Sequence, residues 1–216
     1  MQGATERRRP HPLFARVYTK VAEISERRGG AVHRRQLLAG LSGRVIEIGA
    51  GSGANFIHYP TSLSEVIAVE PERYLRERAQ QAAAASAAVP VCVVEGGADL
   101  LPGESGSFDA GVCALVLCTV PDQQRALAEL HRVIRPGGEL RFYEHVVAHP
   151  KWESRFQRLA DATFWPHLAG GCHLSRDTTS AIEQAGFQIE ACERFGFSPA
   201  PFLPPDPHIL GVARRL

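Results

Sequence analysis

Val45-Ile46-Glu47-Ile48-Gly49-Ala50-Gly51-Ser52-Gly53 runs from an apolar, β-branched stretch straight into three glycines at alternate positions. Valine and isoleucine suit a pleated, buried strand. Glycines so spaced let the chain turn tightly behind that strand and bring its backbone close to a ligand. Working outward, Glu65 to Val69 reads as the next strand, and Glu70 closes it. A carboxylate at that point is placed to accept hydrogen bonds from both hydroxyls of a ribose. Arg73 to Ala88 is an alanine-rich helix stopped by Pro90, and Val91 to Val94 is a strand. Ala110 to Leu117 is a strand apolar throughout, as expected when both faces are covered. Pro121 to Ile134 is a helix, Pro136-Gly137-Gly138 a turn, and Glu139 to Glu144 a strand. This alternation predicts a parallel sheet with helices on both faces.

The flanks are less regular. Leu13, Phe14, Val17, Tyr18, Val21 and Ile24 recur at helical spacing up to Gly29-Gly30, and a second helix is expected from Ala31 to Leu41. His149 to Cys172 carries both tryptophans and reads as one or two helices over the sheet edge. Its Trp152, Phe156, Leu159, Phe164 and Trp165 are expected to pack between lid and sheet, some of them walling an apolar pocket. Thr178 to Ala185 is a helix, and Gln188 to Phe195 with His208 to Arg214 a closing strand pair joined by a proline-rich surface connection.

Composition narrows the function classes. A chain of 216 residues suits one domain with an appended lid. Its 24 basic and 23 acidic residues leave a net charge of +1, which argues against an extended nucleic-acid stripe. Hydrophobic residues at 44% and charged residues at 22% exclude bulk disorder. The longest apolar run, Ala110 to Val120, is too short to span a bilayer. Five cysteines, at 92, 113, 118, 172 and 192, show no CxxC spacing and imply a reducing, cytoplasmic setting. Those at 92, 113 and 118 lie in apolar runs, where a thiol acts as a small hydrophobe. The start, Met1 to Pro12, reads as a disordered tail and not as a secretory signal.

Three nucleotide readings compete for the glycine loop. A P-loop needs a Lys after its last glycine, and none follows Gly53. A dinucleotide fingerprint needs GxGxxG, and here the third glycine comes one residue early. The remaining ligand is S-adenosylmethionine (SAM), its amino-acid end at the loop and its ribose at Glu70. Four blocks in order then carry a resemblance: Gly49-Ala-Gly-Ser-Gly53 with Glu70; Glu95-Gly-Gly-Ala-Asp99-Leu-Leu-Pro102; Ser107-Phe-Asp109; and His131-Arg-Val-Ile-Arg-Pro-Gly-Gly138. Together they resemble the class I SAM-dependent methyltransferases, of the ubiquinone/menaquinone type. The resemblance implies a Rossmann-like α/β fold, a seven-stranded, mostly parallel sheet of order 3-2-1-4-5-7-6 with helices on both faces.

Residue by residue, the resemblance implies that Glu47, Gly49, Ala50, Gly51 and Gly53 line the methionine end. It gives Glu70 the ribose, Pro71 the side of the adenine, Ala98 and Asp99 the adenine edge, and Leu115 a place next to the sulfonium. Where close relatives often carry an Asp, this chain has Gly97, so Asp99 or backbone must serve the adenine amine. A sulfonium methyl is already electrophilic, and a base matters only for an acceptor that arrives protonated. His145, at the end of the last core parallel strand, is the first candidate base, against a plain strand-end hydrogen bond. His173 is second, against a cap or loop role, and Asp161 reads as a cap or an Arg partner. Cys172 beside His173 suggests a nucleophile–base pair, but adjacent positions seldom let one activate the other. No His, Cys and carboxylate cluster has metal-ligand spacing, so no metal is expected.

The second half sharpens the likeness. Val112-Cys-Ala-Leu-Val-Leu-Cys-Thr-Val-Pro121, Phe142-Tyr-Glu-His-Val146, Gly171-Cys-His-Leu-Ser-Arg-Asp-Thr178 and Pro207-His-Ile-Leu-Gly211 resemble the methyltransferase-like-7 group. These are mammalian alkyl thiol S-methyltransferases and their bacterial relatives. The mammalian members carry an apolar N-terminal anchor; the polar, Arg-rich start here predicts no stable membrane insertion. The expected organisation is a tail at 1–12, a helical lid at 13–42 and a methyltransferase domain at 43–216, with a substrate-side insert at about 149–172. The expected reaction moves a methyl from SAM to a small acceptor, a thiol first, in a monomer or homodimer that binds no nucleic acid. C- or O-methylation of a quinone-like or aromatic metabolite, phospholipid N-methylation, and SAM binding without catalysis remain the rivals.

Overall fold

Each of the seven strands expected from the sequence is present, most with shifted ends. The computed structural model describes residues 12–86, 88–148, 151–168, 170–198 and 205–216. The expected tail, apart from Pro12, and the middle of the proline-rich connection lie outside these. In chain order the elements are α1 (Pro12–Ser25), α2 (Ala31–Leu38), β1 (Gly43–Ile48), β2 (Leu63–Val69), α3 (Arg73–Ser86), β3 (Val91–Val94) and β4 (Phe108–Ala114). Then come α4 (Gln123–Val133), β5 (Ile134–His145), α5 (Lys151–Thr163), α6 (Trp165–Leu168), α7 (Thr178–Gln184), β6 (Phe187–Phe197) and β7 (Asp206–Arg215). The strand order is β3-β2-β1-β4-β5-β7-β6, parallel except at β7, which runs antiparallel to both neighbours.

Each face of the sheet has its own core. Ile46, Phe108, Cys113 and Phe142 pack under α4 and α7 against Leu127, Leu130 and Ile182. On the other face Val45, Val66, Val112 and Tyr143 meet Leu37 and Leu38 of α2 and Ala79 of α3. Alternation along β5 sends Phe142 and Glu144 to the first face and Tyr143 and His145 to the second.

Several boundaries differ from expectation, each for a visible reason. β4 stops at Ala114, not Leu117, because Leu115 adopts φ +58° and turns the chain out of the sheet. β5 starts at Ile134 and absorbs the expected Pro136–Gly138 turn, since Ile134 pairs with Phe108 and Glu139 with Ala110 across an irregularity. α1 and α2 join through a π-helical turn, Glu26–Gly30, kinked at Gly29 (φ +128°). Val21 and Ile24, at the end of the expected apolar stripe, are exposed, while Thr19 and Ser25 are buried. Cys92 is also exposed, on the edge strand β3.

The largest departure is α5. Trp152, Phe156, Leu159 and Phe164 are 69, 66, 63 and 49% exposed, so they do not fill the core. The inward face carries Ser154, Gln157 and Ala160. Gln157 Oε1 accepts from Ala148 N (2.6 Å), and Asp161 accepts from Leu174 N (2.8 Å), Ser175 N (2.9 Å) and Ser175 Oγ (2.6 Å). Loop amides need acceptors when buried, and those acceptors set the helix's rotation, leaving its aromatics outside. Phe156→Ser is therefore expected to shift the urea-unfolding free energy by less than about 0.5 kcal/mol, against the several kcal/mol of a core phenylalanine.

Candidate active site

The glycine loop leaves β1 at the carboxyl end of the sheet. Gly49, Gly51 and Gly53 all have positive φ, at 62°, 58° and 85°. At Gly49 a Cβ would stand 2.3 Å from Val116 Cγ2, so the loop and the turn after β4 touch with no room for a side chain. Ala50 N donates to Val69 O (3.1 Å), which ties the loop to the end of β2. There Glu70 accepts from Gly51 N (2.8 Å) and Glu72 N (2.9 Å). Burial pushes its carboxyl up to about 7, against the pull of those two amides.

Glu47 points into the same place. It lines a cavity of about 20 Å³ together with Gly49, Ala50, Gly51, Ser52, Ala54, Ala114, Ala22 of α1 and Arg34 of α2. Its carboxylate accepts from Asn55 Nδ2 and Tyr59 Oη, both at 2.8 Å, and burial raises it to about 7. Arg34 extends the network, donating to Asn55 Oδ1 (2.8 Å) and Glu26 Oε1 (2.6 Å). Glu47 thus borders the cavity with both oxygens already bonded. The N-terminal helices lie across the loop, and a second, broader trough of about 450 Å³ opens between α1 and α3. Arg34, Asn55 and Tyr59 escaped the sequence reading, because no local pattern marks them.

Of the residues expected near an adenine, Pro71 is exposed, its carbonyl accepting from Arg76 Nη1 (3.0 Å). Ala98 packs against the first core. A Cβ on Gly97 would lie 2.5 Å from Asp99 Oδ1. The Asp99 carboxylate therefore folds back over the place where a side chain at 97 would start.

The turn after β4 is held by a side chain at each end. Glu144 is fully buried and accepts from Val116 N (3.0 Å), Leu117 N (2.9 Å) and Cys118 N (3.2 Å). Thr119 N and Val120 N then donate back to Val116 O. At the carbonyl end Arg176 donates to Leu117 O and to Val120 O (2.7 Å). An acid at the amide end and a base at the carbonyl end suit the dipole of a helical turn. Leu115 opens this turn, its amide bonded to Tyr143 O (2.7 Å). Glu144 was passed over in the sequence in favour of its neighbour His145, yet a buried acid in an apolar strand was a readable signal.

His145 faces the other side of the sheet, its ring 5.3 Å from that of His208. Both its ring nitrogens are buried without a hydrogen-bond partner among the described residues, so it makes no strand-end hydrogen bond. Burial and the His208 imidazole lower it to about 4. His208 in turn meets Tyr143, Phe195 and Phe197, and His33 packs on the same three rings, making one aromatic group beside His145. The Tyr143 hydroxyl and His33 Nδ1 likewise lack partners among the described residues. His173 stands apart, its amide donating to Cys118 O (2.8 Å) at the turn after β4. Asp161 is not a helix cap: it accepts from the loop amides of Leu174 and Ser175, while Asp177 caps α7.

Comparison with known proteins decides the family. Human thiol S-methyltransferase TMT1B is 37% identical over 181 residues, covering 82% of this chain and 73% of that protein. Human thiol S-methyltransferase TMT1A is 35% identical over 183 residues, covering 82% and 74%. The chain belongs to the class I SAM-dependent methyltransferases. The family described as "Methyltransferase domain" matches residues 46–142 of this methyltransferase. A SAM-dependent methyltransferase from Thermotoga maritima shares the fold at TM-score 0.69 and 20% identity, over 95% of this chain and 99% of its own.

The methyltransferase uses SAM as methyl donor, and its residues suit that group. The loop has no side chain where it meets Val116, and Glu70 stands at the end of β2. No helix among the described residues is long and apolar enough to cross a membrane.

Proposed function

We propose that this methyltransferase methylates a small, apolar thiol. The observation that carries the reading is the 37% identity to a thiol S-methyltransferase across 82% of the chain, a span far longer than the methyltransferase domain match at residues 46–142. SAM supplies, when bound, a sulfonium methyl that a nucleophile takes directly. The chain's own residues then have three tasks. Glu47, Gly49, Ala50, Gly51 and Gly53 receive the methionine end, and Glu70 the ribose. Asp99, standing in for a side chain at 97, takes the adenine edge with Pro71 and Ala98, and Leu115 borders the reacting centre. α1 and α2 form a lid that admits the donor by moving off the loop.

The third task is to orient the acceptor, which falls to His145 with His173 further out. A thiol of pKa about 8.5 meeting a histidine at about 4 faces a gap of about 4.5 units, or about 6 kcal/mol, for complete proton transfer. His145 therefore acts as a neutral hydrogen-bond acceptor, and the proton passes to water. The rate at low thiol concentration is expected to climb about tenfold per pH unit up to the thiol's own pKa. It should show no break near pH 6.5, and His145→Ala should lower the whole profile without changing its slope. A break near 6.5 that disappears in His145→Ala would assign proton abstraction to an unburied imidazole instead.

The donor side has its own pH dependence. An ionised Glu70 accepts two hydroxyls better than a protonated one, and its raised pKa means that the protonated form gains as pH falls through about 7. SAM affinity should then weaken below pH 7 by up to about tenfold per unit. Glu70→Gln should bind weakly and with a flat profile, which calorimetry across that range will read.

The function itself is tested with methyl-labelled SAM and a panel of alkyl thiols, quinols, phenols and amines. Label is expected in the thiols. Label confined to quinols or phenols would move the enzyme to C- or O-methylation, and SAM binding with label in none would leave a binding protein.

A further inference from the structure

Two cysteines that the methylation reaction does not use lie against each other. Cys118 sits in the clamped turn after β4 and is buried; Cys172 lies in the loop before α7 and is partly exposed. The His173 amide donates to Cys118 O at 2.8 Å, which brings the backbone flanking the two cysteines side by side. The two side chains are near enough that each shifts the other's titration, Cys118 upward and Cys172 downward. A disulfide spans Cα atoms about 4.4–6.8 Å apart, and backbones joined by an amide hydrogen bond meet that need. We propose that Cys118 and Cys172 are a redox modification site, closing to a reversible disulfide when the protein meets a hydroperoxide.

The surroundings assign the roles. The Arg176 guanidinium interacts with both sulfurs, and the Trp165 indole lies beside Cys172. The neighbouring Cys118 thiol holds Cys172 below its usual range against burial, while the same contact together with burial pushes Cys118 well above it. Cys172 faces that guanidinium together with the carboxylates of Glu144 and Asp161, and its partial exposure is what lets a peroxide reach it before buried Cys118. Cys172 is therefore attacked first. Its thiolate takes the terminal oxygen of the hydroperoxide, the O–O bond breaks, and the alcohol leaves with a proton, giving a sulfenic acid. The Cys118 sulfur then attacks the Cys172 sulfur; the S–S bond forms, the S–O bond breaks, and hydroxide leaves with the Cys118 proton as water. Two electrons pass from the thiols to the peroxide, and a dithiol reductant returns them by exchange.

The backbone allows the closure from one side. Cys118 is fixed by Glu144 and its turn by Arg176, so it cannot travel. Cys172 follows Gly170 and Gly171, both at positive φ, which form a pliant stretch able to carry it the remaining distance. Neighbouring His173 holds the loop to the turn through its backbone amide.

The experiment treats the full-length protein with hydrogen peroxide, blocks free thiols, and counts them in denaturant. Thiols should fall from the five in the sequence by the two that pair. Chymotryptic cleavage at Leu115 and Leu117 separates Cys113 from Cys118, and a 118–172 linked peptide two hydrogens lighter should appear and vanish with dithiothreitol. In Cys118→Ser the same treatment should leave Cys172 as a sulfenic acid trapped by dimedone. All five thiols surviving, losses falling on exposed Cys92 and Cys192, or Cys172 passing to the sulfinic acid with Cys118 intact would each overturn the proposal.

Discussion

Glu144→Ala is expected to cost about 3–5 kcal/mol of unfolding free energy, the largest effect of any single side chain outside the apolar core. Three backbone amides, of Val116, Leu117 and Cys118, lose their acceptor at once. A buried donor left without a partner costs about 1–3 kcal/mol. Part of that sum returns, because burial already holds the Glu144 carboxyl up to about 7 and the ionised form is not favoured there. Leu115, at φ +58°, also loses the turn that fixes it. Urea titration of the two proteins reads the difference as a shift in midpoint at constant slope. A cost under about 1 kcal/mol would mean that water replaces the carboxylate and that the turn is not held as described. Glu144→Gln separates charge from geometry: its carbonyl still accepts, but its amide faces the third donor, so it should fall between the two.

Gly51→Arg is expected to remove SAM binding altogether. Gly51 lines the cavity between Glu47 and the N-terminal helices, so any side chain there enters the space we propose for the donor. Its φ of 58° adds strain of about 1–2 kcal/mol for a residue with a Cβ. Its amide bond to Glu70 would be disturbed as well. Calorimetry should show no heat of binding at SAM concentrations that saturate the parent. The thermal midpoint should stay within a few degrees of the parent, since about 1–2 kcal/mol moves a domain of this size by roughly 2–8 °C. Undiminished affinity in a folded Gly51→Arg protein would remove the glycine loop from the cofactor site.

The cofactor half of the molecule was legible because its signals are local. A β-branched run, three glycines and a carboxylate closing the next strand all lie within 45–70, and each has the place that its residue type suggests. The strand order beyond β5 came from family resemblance, since β7 inserts between β5 and β6 by pairing with β5 across more than sixty residues, which no window shows. The end of β4 was misplaced for a related reason. The apolar run continues through Val120, while the chain leaves the sheet at Leu115 under the hold of a carboxylate 28 residues ahead of Val116. α5 misled through composition: aromatics at helical spacing suggested a core face, but Gln157 and Asp161, needed by loop amides from other segments, turned inward instead. Glu47 was expected at the donor's methionine end and does line the cavity, but its bonds to Asn55 and Tyr59 form only once the chain has folded.

The most direct measurement combines the purified protein, SAM carrying a deuterated methyl group, and one alkyl thiol, and follows both products by mass. The account predicts a methyl thioether carrying the whole label, formed mole for mole with S-adenosylhomocysteine, and its loss in Gly51→Arg. S-adenosylhomocysteine without labelled thioether, or labelled thioether formed equally well by Gly51→Arg, would contradict it.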